Sequence, residues 1–112
     1  MSRDLLGKAR QALEGGDLIQ ASEKGWGAAA QAVKAVAERR RWPHRSHSAL
    51  FGIIDRLVAE TGDRDIGRLF AAGNALHQNF YEHWMTVASV RRNLEAIDEL
   101  VTKLEPPATP RS

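Results

Sequence analysis

Apolar residues recur every three or four positions along the chain, and turn residues interrupt them at four places, which predicts five helices and no strands. The first helix carries Leu5, Leu6, Ala9, Ala12 and Leu13 on one side behind Ser2 as a cap, and Gly15-Gly16 stops it. The second is predicted from Asp17 to Arg41, with Leu18, Ser22, Trp26, Ala29, Val33, Val36, Ala37 and Arg40 along its stripe. Trp42 precedes Pro43, so helical geometry is disfavoured there and the helix should end near Arg41. Ser46 caps a third helix, running to about Glu60, in which Leu50, Ile53, Ile54, Leu57 and Val58 keep amphipathic spacing. Thr61-Gly62 closes it, and Asp63 opens a fourth with Ile66, Leu69, Phe70 and Gly73 facing inward. A fifth starts behind Thr86 and repeats Val87, Val90, Leu94, Ile97, Val101 and Leu104 in threes and fours, a packing seam. The fold class is therefore all-α, an up-and-down bundle of about five helices.

The second half of the fourth helix carries the most chemistry. Gly73, Leu76, Phe80 and Trp84 fall within about 80° of one another at helical spacing, which predicts a core-facing stripe that runs through Trp84. His77 and Tyr81 lie one turn apart along its edge, with Asn74 just beyond. A polar file in that position supports two readings. One is a buried hydrogen-bond network that fixes helix packing. The other is a site, because imidazole titrates near neutrality and suits acid–base work, with Asn79 and Tyr81 placed to orient it or a phosphate. His77 and His83 are then the candidate catalytic pair, although six residues of helix set them about 120° apart within one chain. No metal or cofactor is expected, since no HExxH, EF-hand or glycine-rich phosphate loop is present.

Composition narrows the setting. With no cysteine the chain has neither a disulfide framework nor a thiolate site. It has no apolar run near the ~18 residues of a membrane span and no signal-peptide pattern behind Met1, so a cytoplasmic protein without a membrane partner is expected. Residues 1–104 read as one domain, and residues 105–112, with three prolines, as a disordered tail. A net charge of only +2 makes local charge the better guide. Four arginines and two histidines stand between Arg39 and His47, converging on the start of the third helix, where backbone N–H groups and the helix dipole favour an anion. Arg39, Arg41, His44, Arg45 and His47 are thus candidate phosphate ligands; arginines that merely complement the dipole of the preceding helix are the plainer alternative. Gly25, Gly27 and the alanines through Ala32 make the second helix thin, open to close approach by another helix or a second subunit, with Glu23 and Lys24 in the same segment.

Ala21-Ser22-Glu23-Lys24-Gly25-Trp26-Gly27-Ala28-Ala29-Ala30, Ala32-Val33-Lys34-Ala35 and Leu76-His77-Gln78-Asn79-Phe80-Tyr81-Glu82 resemble the archaeal PaREP proteins, which are similar to the HEPN (higher eukaryotes and prokaryotes nucleotide-binding) superfamily. The resemblance extends from about Leu5 to Leu104 and implies a helical bundle that is usually a homodimer. Active HEPN members cleave RNA with an Arg-x(4–6)-His motif near the last long helices. If His83 matches that histidine, His77 occupies the arginine's place; Arg41 and His47 have the spacing but lie between the second and third helices. The fixed charge and forked donors of a guanidinium are therefore missing where the motif needs them. The resemblance implies an RNA- or nucleotide-binding module first, a protein-interaction domain or toxin–antitoxin partner second, and a metal-independent ribonuclease third. Glu23 matches a polar residue that supports the site.

Overall fold

Helix α2, Leu18–Arg40, packs against every other helix, and its small residues allow that. Ala28, Ala29, Val33 and Ala37 are fully enclosed. Around it lie α1 (Ser2–Glu14), α3 (His47–Thr61), α4 (Arg64–Glu82) and α5 (Val87–Leu104). The structure is a computed structural model that describes residues 2–106, so most of the predicted tail, residues 107–112, lies outside the described residues. One cluster of buried side chains runs from Leu6 of α1 to Leu104 of α5.

The boundaries follow from local chemistry. Asp17, Ser46, Asp63 and Thr86 each accept a backbone N–H of the following turn, from Gln20, Ala49, Asp65 and Ser89, as helix caps do. Arg41 (φ 59°) and Gly62 (φ 73°) end α2 and α3 in left-handed geometry.

The thin segment of α2 is filled from within the chain. A Cβ at Gly25 would lie 2.6 Å from Leu94 and 2.7 Å from Leu76, and one at Gly27 would meet Leu5 at 3.3 Å. Helices α1, α4 and α5 thus occupy the close approach that sequence left open to a second subunit. Gly73 does the same from α4, where an added Cβ would stand 2.9 Å from Ala29. This contact draws α4 onto α2 beside Trp26.

Two expectations about the stripes need correction. The stripe of α4 does not run through Trp84: the helix stops at Glu82, His83 turns left-handed (φ 56°), and Trp84 is 54% exposed. Asn79, at 1% exposure, takes the inward place instead, and Met85 rather than Trp84 folds into the core. Val87 of α5 is likewise exposed, while Leu100 joins Val90, Leu94, Ile97, Val101 and Leu104 inside.

Ionic ties fasten the outside. Arg3 reaches Asp98 at 2.8 Å and Glu105 at 2.9 Å, and Arg10 reaches the second oxygen of Asp98 at 2.6 Å, pinning α1 to α5. Bonds from Arg3 and then Arg10 hold the Asp98 carboxyl below the usual aspartate range.

Candidate functional site

Two i,i+4 pairs build the site. His47 and Phe51 project from the start of α3, and His77 and Tyr81 from the last turns of α4; Trp26 of α2 closes the group from beneath. The rings form a continuous stack. Trp26 lies 5.0 Å from His47 and 4.8 Å from His77 between ring centroids, and the two imidazoles are 5.2 Å apart at 28°. Tyr81 meets His77 edge-on at 5.4 Å and remains 70% exposed. Phe70, enclosed in the core, touches Trp26 at 5.7 Å and Phe51 at 4.9 Å, so the stack rests on a rigid base.

Hydrogen bonding orients the outer imidazole. Nε2–H of His47 donates to Oδ1 of Asn74 at 3.3 Å, since an amide oxygen can only accept. Partial burial, and secondarily the nearness of His47, lower the pKa of His77 from its ordinary 6.5. His77 is therefore neutral at pH 7. A histidine whose folded-state pKa is depressed binds its proton more readily in the unfolded chain. Its stabilising contribution is complete above pH 6.5 and is lost progressively as pH falls below that value. Thermal melting followed from pH 8 to about pH 5 is expected to show the melting temperature falling on the acid side of 6.5, and His77→Phe to flatten that limb. An unchanged acid limb in His77→Phe would assign the fall to other groups.

The candidate residues separate into five places. His47, Asn74, His77 and Tyr81 come together in the ring stack. Arg41, His44 and Arg45 line an open pocket of about 600 Å³ beside Trp42 in the α2–α3 connection. Asn79 and His83 face a different cleft, of about 560 Å³, against the α1–α2 turn. Arg39 turns to the far end of the bundle, where its guanidinium donates to the Leu104 carbonyl at 2.9 Å and closes the C-terminus of α5. His77 and His83 do not meet within the chain: Nε2–H of His83 donates to the Phe80 carbonyl at 3.0 Å, in the turn that ends α4. The imidazole beside His77 is that of His47. Asn79 has every polar atom engaged, Nδ2 donating to Ser22 Oγ and Oδ1 accepting the N–H groups of Trp84 and Met85, all at 2.8 Å. Glu23, one turn from Trp26 on α2, makes a 3.9 Å pair with Lys24.

Trp26 and Phe51 joined no candidate site in the sequence: Trp26 reads as part of the stripe of the second helix, and Phe51 is not singled out there. The signal that could have found Phe51 is the matching i,i+4 rhythm, His-Phe on one helix and His-Tyr on the next; nothing comparable marks Trp26. Among the described residues no group of three or more histidines and carboxylates is arranged to hold a metal ion. No helix among them is long and apolar enough to cross a membrane.

Comparison with known proteins adds two findings. A family model described as the archaeal PaREP1/PaREP8 family matches residues 1–101. The fold is similar to a crystal structure of a protein from Sulfolobus solfataricus, with a TM-score of 0.82, 23% sequence identity and 92% of each chain covered. No curated protein matches significantly.

Proposed function

The chain belongs to the archaeal PaREP1/PaREP8 family, and from that premise we propose that it is a HEPN-like helical module that binds RNA or a nucleotide at the ring stack. The observation that carries this reading is the run of rings on one face of the bundle, with His47 and Tyr81 exposed and Trp26 and His77 part-buried between them. Flat rings held in place by a buried phenylalanine suit stacking on a nucleobase, since every base offers a π-face. Exposed Tyr81 can lie against the base, while the His47 and Asn74 pair offers hydrogen bonds to its edge. A cytoplasmic homodimer belongs to the same proposal; the location rests on the composition and the dimer on the family resemblance.

The test is labelled single-stranded RNA incubated with the wild type and with His77→Ala, run on a gel at low and moderate salt. Binding that fades with salt is expected, because phosphate contacts release counterions. Loss of one stacking ring, worth about 1–3 kcal/mol per base, should weaken binding roughly five- to 150-fold. Unshifted RNA under all conditions would overturn RNA binding and leave the small nucleotide to be tested by calorimetry.

The contact between neutral His77 and His47 favours ribonuclease chemistry as a second reading, with one imidazole as general base and the other as general acid. The same gel distinguishes it, since cleavage would appear as shortened RNA with the wild type only. Tyr81, Trp84 and Val87, all exposed around the α4–α5 turn, support the protein-interaction alternative.

A further inference from the structure

The α2–α3 connection holds cationic groups that no acidic side chain neutralises. In the last turn of α2 that leads into it, Arg39 closes α5 and Arg40 pairs with Glu60 at 2.6 Å. Arg41 and Arg45 pair with no carboxylate among the described residues, and neither does Arg56 of α3. Arg56 lies instead over the Trp42 ring, 3.8 Å from its centroid, with Arg40 4.9 Å from the same ring. Trp42 is half-buried against the core, so it is a fixed anchor for these guanidinium groups and not a loose platform. Arg41 and Arg45 line one pocket, and Arg56 stands on the Trp42 ring that forms part of its wall; like charges this near repel, and an anion bound there would relieve that repulsion.

The pocket and the ring stack flank the same helix turn. Ala49 and Arg56 lie about 200° and 180° around α3 from His47, so they occupy opposite sides of a helix 10–12 Å across. Between them run Arg45, Ser46 and the N-terminal turn of α3. A base stacked on His77 therefore has its sugar–phosphate chain directed either out into solvent or across this turn towards three cations.

We infer that the pocket beside Trp42 holds backbone phosphates of a strand whose base lies on the Trp26–His47–His77 stack, so that the ligand is a single-stranded oligonucleotide and not a free mononucleotide. This rests on base binding at the stack, and it assigns Arg41, Arg45 and Arg56 as phosphate ligands with Trp42 as the residue that positions Arg56. Duplexes are disfavoured, because paired bases cannot reach the rings while the backbone reaches the arginines.

The experiment measures binding of a fluorescent ten-nucleotide RNA and of AMP from 50 to 300 mM salt. It compares the wild type with His77→Ala and with the triple variant Arg41→Gln, Arg45→Gln, Arg56→Gln, which retains side-chain length. Each phosphate contact to a single strand contributes about 0.7 to the log–log salt slope. The triple variant should therefore lose about 2 from that slope, and on the order of fifty-fold in strand affinity near 0.15 M salt. Its affinity for AMP should be unchanged, whereas His77→Ala should weaken both ligands. Trp42→Leu should lower the slope by about one contact at an unchanged AMP affinity, a split that a purely structural tryptophan would not produce. An unaltered slope in the triple variant, with His77→Ala still impaired, would overturn this inference and leave the stack reading standing. AMP bound as tightly as the strand would also overturn it. Insensitivity of both ligands to His77→Ala would overturn the stack reading, and this inference with it.

Discussion

Phe70→Ala is expected to lower the stability of the fold by about 3–5 kcal/mol, a large share of what a domain of this size possesses. Phe70 is the largest of the fully buried side chains, at 1% exposure, and it stands where α2, α3 and α4 meet. Removing the phenyl ring loses its transfer free energy and opens a cavity that three packed helices cannot close. Because Trp26 and Phe51 lean on Phe70, the variant should also loosen the ring stack. Urea unfolding followed by tryptophan fluorescence measures both effects, as a lower midpoint and as an altered native-state emission of Trp26. Phe70→Leu should recover more than half of the loss. A destabilisation below 1 kcal/mol would mean that Phe70 is not the base on which the stack rests.

Asn79→Ala should cost about 2–4 kcal/mol. In the folded chain Oδ1 of Asn79 accepts two consecutive backbone N–H groups just beyond α4, and the Met85 N–H is buried. Alanine leaves both donors without an acceptor, and an unsatisfied buried donor costs roughly 1–3 kcal/mol. Ser22 is less affected, since its hydroxyl still donates to the Leu18 carbonyl at 2.8 Å. The effect has a local signature that distinguishes it from general loosening. Amide hydrogen exchange at Trp84 and Met85 should accelerate more than exchange at the centre of α5. Equal acceleration throughout would show that Asn79 contributes through packing and not through these two bonds.

Asn79 also shows why part of the candidate site was not legible in the sequence. The file of Asn74, His77 and Tyr81 along one helix edge does come together in the structure, but Asn79, taken as a fourth candidate beside it, does not. His77 and Tyr81 face outward with Trp26 and His47, whereas Asn79 turns inward to end the helix. The difference arises at His83, where the left-handed backbone brings the next two N–H groups back over Asn79. That geometry depends on Met85 having a place in the core, which no helical periodicity contains. The arginine run divided for a similar reason. Arg39 and Arg41 are two residues apart, about 200° around a helix that is already ending, and packing sends one to α5 and leaves the other at the loop pocket.

The sequence alone determined the five helices, four of their caps and the all-α class, because each rests on contacts within a few residues, and its residue strings carried the family resemblance. Side-chain caps bond to the next turn, periodic apolar positions select one helix face, and glycine or proline breaks the pattern locally. Only the tertiary structure decided which groups stand together. It brought His47 to His77 across thirty residues of chain, put Trp26 beneath both, and separated His83 from them. The approach of α2 to α4 at Gly73 and Ala29 sets those distances. A long-range contact of this kind is fixed by the volume of the residues between two helices, and the spacing of letters along one chain does not encode it.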